Sequence, residues 1–201
     1  IEKSMLPRSQ PFQTTGAGEN HAGLFEDVST RSLQTVRVGE GAGKVSSGSY
    51  NAFVGYDAGN QNTSGSYDTF VGYQAGALNT QSSYSTMIGA FAGRQNLNGS
   101  EVVLIGYRAG ELNNNRNAIV AIGPYSMREN YSGTGTVAIG YRAAERNLDG
   151  DYNTMIGAES GQDNRSGNFN TMAGFRSGRA CFKGNENTYF GAYAGYSDSI
   201  G

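Results

Sequence analysis

The chain has 201 residues, of which only 37% are hydrophobic and 31 are Gly, so the apolar content for one thick globular core is missing. A net charge of −2 makes nucleic acid an unexpected partner, and no run of apolar residues is long enough for a membrane span. One Cys and one His exclude an intrachain disulfide and argue against a Cys- or His-based metal centre or cofactor site. Thirteen Tyr and nine Phe argue against disorder, so a stack of small units with thin cores is expected.

The first 31 residues follow no repeat and contain Pro7, Pro11 and several Gly residues. This composition predicts an irregular lead-in or cap over residues 1–31. Residues 32–201 are predicted to form a single repeat domain.

A Gly that usually follows Val or Ile, here called the anchor glycine, defines this repeat. Gly39 is an early member that lies sixteen residues before the next one. The other members recur every seventeen residues without insertion or deletion, at Gly55, Gly72, Gly89, Gly106, Gly123, Gly140, Gly157, Gly174 and Gly191. Such a fixed short period is typical of a solenoid.

Each repeat reads as a short strand, a second short strand and turns. In Thr154-Met155-Ile156-Gly157, β-branched and apolar residues are broken by Gly, which predicts a strand that ends at the anchor. The expected fold is therefore all-β, a parallel β-solenoid of about ten rungs of seventeen residues. At a rung spacing of about 4.8 Å, it forms a rod roughly 45 Å long.

Seven residues after the anchor, Asn recurs in seven repeats. The column consists of Asn62, Asn79, Asn96, Asn113, Asn130, Asn147 and Asn164. In-register Asn amides can bond to one another along a stack, which predicts an internal Asn ladder. The alternative is a row of solvent-facing turn residues. Cys181 takes an Asn position and is expected to be a small buried replacement.

Two residues before the anchor lies an apolar column. With Val or Ile of each strand taken as pointing inward, alternation places this column outward. It includes Phe53, Phe70, Met87, Leu104, Met155, Met172 and Tyr189. So long an apolar stripe predicts an interface with identical chains, arranged as a parallel homotrimer. The alternative is a second internal core face covered by the N-terminal segment.

Two residues after the anchor the residue type varies, which is typical of a solvent-facing column. This column predicts an outer contact face for a cell-surface glycan or protein receptor. It includes Asp57, Phe91, Arg108, Tyr125, Arg142, Arg176 and Tyr193. Its aromatic members are candidates for stacking on sugars.

Runs such as Tyr152-Asn153-Thr154-Met155-Ile156-Gly157, followed by Ala-Gly in many repeats, resemble the head repeats of YadA-type trimeric autotransporter adhesins. They also resemble the Gly-Tyr-Asn-Thr repeats of bacteriophage tail fibres and tailspikes. The resemblance covers about residues 32–201. It implies a left-handed parallel β-roll, a trimer, an extracellular or virion-surface location and a part in host attachment. The family's shorter rungs usually carry Ser-Val-Ala-Ile-Gly, which only the run at 136–140 approaches.

Three functions follow as expectations. The first is a structural or receptor-binding segment of a phage tail fibre or a related virion or injection-machine appendage. The second is a bacterial surface adhesin or a self-assembling extracellular filament, and the third is an ice-binding solenoid, suggested by a Thr column. No enzyme is expected, because the acidic residues are scattered and the Gly-rich turns lack the Lys of a phosphate loop. The open rung at Gly201 predicts a further domain or partner at that end.

Overall fold

The computed structural model describes residues 34–114 and 117–197. All regular secondary structure in these ranges is β-strand. The predicted lead-in over residues 1–31 lies outside the described residues. Ten strands of three residues each are β1 (Val36–Val38), β2 (Ala52–Val54), β3 (Thr69–Val71), β4 (Thr86–Ile88), β5 (Val103–Ile105), β7 (Val120–Ile122), β9 (Val137–Ile139), β10 (Thr154–Ile156), β11 (Thr171–Ala173) and β12 (Thr188–Phe190). Two strands of two residues each are β6 (Leu112–Asn113) and β8 (Glu129–Asn130).

The ten longer strands form one parallel sheet in which each strand pairs with the next copy of the repeat. Thr69 pairs with Thr86, for example, at a separation of seventeen residues. Val36 pairs with Ala52, so the first rung is one residue shorter. β6 and β8 pair in a second small parallel sheet. The chain is therefore the predicted all-β parallel β-solenoid, with about nine turns.

The strands have the opposite facing from the one predicted. In each three-residue strand from β2 to β11, the middle residue is buried inside the roll. Its two neighbours are at least partly exposed. The prediction that this apolar stripe faces outward and contacts partner chains is therefore wrong. Its members Phe53, Phe70, Met87, Leu104, Met155 and Met172 are fully buried within their own chain, and Tyr189 packs partly buried against the same core.

The width of the roll explains this facing. A strand of three residues sends only one side chain inward, so that side chain must reach the opposite wall. A Cβ added to Gly59 would lie 2.6 Å from the ring of Phe53, which shows how closely the ring approaches that wall. Val or Ile is too short to span the same distance.

The core volume is exchanged between the two walls in the middle of the rod. β7 and β9 carry only Ala121 and Ala138 at the inward position, where most other rungs have Phe, Met or Leu. In these two rungs the opposite wall carries Met127 and Ala144 in place of Gly, both buried and both with positive φ. In the β7 rung the larger residue thus stands on the opposite wall, at Met127, whereas the β9 rung has Ala on both walls.

The anchor glycines are required by the close stacking of the rungs. Gly72 has a φ of +134°, and a Cβ there would lie 2.7 Å from the backbone carbonyl of Gly89 in the next rung. No other residue fits such an approach in that conformation. The fixed period therefore reflects a backbone constraint that recurs at every turn.

Candidate interaction surface

The outward positions of the ten-stranded sheet form a surface that we call the sheet face. Its first column holds Val36, Ala52, Thr69, Thr86, Val103, Val120, Val137, Thr154, Thr171 and Thr188. Its second column holds Val38, Val54, Val71, Ile88, Ile105, Ile122, Ile139, Ile156, Ala173 and Phe190. These side chains are β-branched or apolar and lie in register from rung to rung. Ile88 is 38% exposed and Ile156 44% exposed, so the described part of the chain leaves this face at least partly open to solvent.

Exposed aromatic rings border the sheet face. On the side where the strands begin, Tyr50, Tyr67 and Tyr84 stack with ring centroids 5.0 and 5.1 Å apart. Tyr152 and Phe169 form a similar stack further along the rod. On the side where the strands end, the exposed rings are Tyr56, Tyr73, Tyr107, Tyr141 and Phe175. In the stacked columns the rings cover one another's faces and leave their edges to solvent.

Charge is almost absent from this surface. Among the described residues at the outward strand positions and the two bordering columns, only Glu40, Glu101 and Glu186 are charged. Seven residues from border to border and nine rung spacings give an area of roughly 900 Å². A specific protein interface buries about 800 Å² on each partner. The sheet face therefore has the size and the polarity of a protein–protein interface.

The predicted outer contact face has partners within the chain. The guanidinium of Arg108 lies 5.5 Å from the ring centroid of Phe91, and that of Arg142 lies 5.7 Å from that of Tyr125. Phe91 also makes an edge contact with Tyr73, and the ring of Tyr125 similarly contacts its neighbours. These aromatic faces are occupied, which weakens their case as sugar-stacking platforms. Tyr193 is exposed but contacts Phe175 and Tyr196.

Together with the column three residues further on, this face forms what we call the charged corner. Its charges alternate in sign along the rod, in the order Arg94, Glu111, Arg128, Glu145, then Gln162 and Arg179. Arg128 lies 3.5 Å from Glu145, and Gln162 donates a hydrogen bond of 2.8 Å to the same carboxylate. Opposite charges on neighbouring rungs thus compensate one another.

Arginine side chains of the charged corner also lower the pKa of one carboxylate, that of Glu159. Arg176 donates hydrogen bonds of 2.8 and 3.3 Å to Glu159, and Arg179 donates one of 3.1 Å. The hydrogen bond from Arg176 is the main reason why the pKa of Glu159 is lowered. Such a part-buried ion pair at the surface contributes little to stability, but it fixes the direction of both side chains.

Asp57 lies at the first rungs, in a cleft of about 400 Å³. Arg37 and Lys44 line this cleft together with Glu40 and Asp57. Asp57, followed by Glu40, raises the pKa of the neighbouring Tyr56. Because both signs of charge line the cleft, it does not select an anion or a cation.

The predicted Asn column lies inside the roll and is fully buried. Asn113 donates to Asn96 and Asn130 donates to Asn113, both at 2.8 Å, and Asn164 donates to Asn147 at 3.1 Å. The ladder thus exists in two stretches, with each donor directed to the preceding rung. In other rungs the amide bonds within its own turn. Cys181 is buried in the same column.

Two further ladders support the turn before many of the strands, and the sequence interpretation missed both. Immediately before the strand, Asn153 Oδ1 accepts a hydrogen bond of 2.8 Å from the backbone N–H of Asn170 in the next rung. Two residues earlier the direction is reversed, since the Ser83 hydroxyl accepts one of 3.1 Å from the N–H of Ser66 in the preceding rung. The recurrence of Asn at 51, 153, 170 and 187 was the available signal.

No group of three or more His, Cys, Asp or Glu side chains in the described ranges is placed to hold a metal ion. A search of the same ranges finds no helix long and apolar enough to cross a membrane. Comparisons with protein-family models, with curated proteins and with solved structures each find no match.

Proposed function

We propose that this chain is a structural and receptor-binding segment of an attachment fibre, of the kind carried by a phage tail or a related appendage. The observation that supports the proposal most directly is the sheet face, a large uncharged surface that runs the length of a rigid rod. A rod whose rungs repeat in register is suited to hold a binding partner at a distance. The repeat pattern of Tyr152–Gly157 points to the same class of protein.

In this proposal the sheet face packs against identical chains, with a trimer as the working unit. Val, Ile and Thr side chains that stand in register offer a regular surface. Burial of this surface favours association by about 25 cal/mol for each Å² of apolar area. Parallel identical chains bring the same columns near one another. A face with almost no charge avoids the repulsion between like charges that such symmetry otherwise creates.

Light scattering tests the assembly. The wild-type chain is expected at three times the mass of the 21.2 kDa monomer. Replacing Ile88 and Ile122 by Asp places two charges on the sheet face, two rungs apart, and is expected to yield folded monomers. The matched control is Gln61→Asp with Gln74→Asp, which adds the same charge outside the sheet face and is expected to remain trimeric. A monomeric wild-type chain, or trimers of the Ile88/Ile122 variant, would contradict this arrangement.

Electron microscopy separates the fibre from the adhesin or filament alternative. Discrete rods support a fibre segment, whereas long end-to-end filaments or surface brushes support the alternative. In the same samples, gold-labelled antibody against the chain is expected on virion tails in a fibre and on the cell surface in an adhesin.

One observation favours ice binding as a second candidate. Thr69, Thr86 and Thr154 stand on the sheet face and are partly exposed. Three Val residues, at 103, 120 and 137, interrupt that column. Thermal hysteresis of the purified chain decides the matter, and its absence removes this candidate.

A further inference from the structure

Asp68 is a buried carboxyl in a column that otherwise holds neutral side chains. It lies immediately before β3 and is 1% exposed. The equivalent residues include Asn51, Asn153 and Asn170, all of them buried. Asp68 thus occupies an interior amide position in the second full turn of the rod.

In the Asn rungs, both ends of the amide are used. The side-chain oxygen accepts the backbone N–H of the next rung, at 2.8 Å from Asn153 to Asn170. The side-chain nitrogen donates to a backbone carbonyl fourteen residues ahead, at 2.7 Å from Asn153 to Gly167 and 2.8 Å from Asn51 to Gly65. The donor is therefore as much a part of the turn as the acceptor.

Asp68 takes the same geometry without the donor. Its Oδ1 accepts the N–H of Ser85 at 3.0 Å, as the Asn oxygens do. Its Oδ2 stands in the place of the amide nitrogen and accepts a hydrogen bond of 3.0 Å from Asn62 Nδ2, which a protonated oxygen can accept while it donates its own O–H. A Cβ added to Gly65 would lie 2.8 Å from Asp68 Oδ2, and one added to Gly150 would lie 2.8 Å from Asn153 Nδ2. The carbonyl fourteen residues ahead of Asp68 belongs to Ser82.

Two acceptors that face each other repel unless a proton lies between them. We propose that Asp68 binds a proton and donates it from Oδ2 to the carbonyl of Ser82, so that the turn before β3 is a pH-sensitive joint in the rod. The described residues that face Asp68 are Asn51, Ser85, Asn62, Gly65 and Ser82, and none of these is titratable. The inference is independent of the proposed fibre function.

The other buried carboxylates of the described ranges behave differently. Glu145 and Asp163 are paired with arginine, at 3.5 Å from Arg128 and 2.5 Å from Arg146. Among residues 34–114 and 117–197, Asp68 has no cation partner. Burial raises its pKa to about 7, although hydrogen bonds from Ser85 and Asn62 act in the opposite direction. Protonation of this group therefore falls in the physiological pH range.

The sign of the effect follows from linkage. In the unfolded chain Asp68 loses its proton near its ordinary pKa of 3.8, whereas the folded chain keeps it to about pH 7. Between these values the folded state binds more protons, so stability falls as pH rises and levels off above about 7. The loss is expected to lower the unfolding midpoint by about 10 °C.

Thermal unfolding from about pH 4 to about pH 9 tests the proposal. Asp68→Asn restores the amide found in the sister rungs and is expected to remove this fall, so that the variant is more stable than wild type at pH 8. The control Asp149→Asn, at an exposed residue, is expected to keep the wild-type profile. Parallel profiles for wild type and Asp68→Asn would overturn the proposal.

A measurement on the wild-type chain keeps the test valid even if the variant misfolds. The side-chain carboxyl carbons of Asp are labelled with ¹³C and titrated by NMR. One carboxyl is expected to titrate near pH 7. Titration of every aspartate below about pH 5 would overturn the proposal.

Discussion

The two sides of the sheet carry similar amounts of apolar surface but differ in what covers it. On the inward side, Phe53, Met87 and their equivalents touch the opposite wall of the roll and are fully buried. On the outward side, Ile88 and its equivalents are equally apolar and remain at least partly exposed. Hydrophobicity alone therefore does not distinguish a core column from an interface column. In the rungs with Phe, Met or Leu inward, the distinguishing property is the length of the side chain relative to the width of the roll. In β7 and β9, where Ala121 and Ala138 face inward beside the longer Ile122 and Ile139, the facing follows the register with the neighbouring rungs.

The sharpest test of this comparison places the same charge on either side of one strand. Met87→Asp buries an uncompensated carboxylate and is expected to cost at least about 4 kcal/mol of unfolding free energy. Ile88→Asp, at the adjacent residue, is expected to change it by about 1 kcal/mol or less in the isolated chain. Denaturant unfolding of both variants, at a concentration where chains are monomeric, gives the comparison. Equal losses would show that both sides are core.

The exchange of volume between the walls offers a second test. Met127→Gly empties space beside Ala121 and is expected to cost about 2–4 kcal/mol. Ala121→Met alone overfills the same space and is expected to cost about 1–3 kcal/mol. The double variant reproduces the Met155 and Gly161 arrangement of β10, so much of the loss should be regained. A double-mutant cycle in chemical denaturation measures this coupling, and simple additivity would contradict it.

The interior ladder predicts a smaller effect. Asn113→Leu removes one of the two acceptors of the Asn130 amide, and also the hydrogen bond that Asn113 donates to Asn96, and is expected to cost about 1–3 kcal/mol. Its control is Asn114→Leu at the next, exposed residue, for which little change is expected. Melting curves followed by circular dichroism check both, and equal midpoints for the two variants would argue against a structural role for the ladder.

The charged corner predicts the smallest effect. Arg176→Ala removes two hydrogen bonds to Glu159 but leaves the one from Arg179. The expected loss is about 0.5 kcal/mol and is smaller still in high salt. Urea unfolding at low and high ionic strength measures it. A loss as large as that of Asn113→Leu would show that the corner contributes as much as the interior.

The amino-acid sequence by itself determined the period, the parallel stacking and the columns. The anchor glycines make this possible, because the same close contact with the backbone of the next rung requires Gly at position 72 and its equivalents. The Asn column was readable for the same reason. In a solenoid, local pattern and long-range pairing share one period, so the pairing follows from the spacing.

The tertiary structure alone decided which columns face inward and how the buried polar groups are paired. A strand of three residues gives two alternative parities, and Met87 and Ile88 are both apolar enough for the core. The choice depends on the distance to the opposite wall, which Gly59 and Met127 set from the far side of the rung. The proposed proton-binding role of Asp68 could not be predicted from the sequence for a similar reason, since it depends on the Ser82 carbonyl in the next rung.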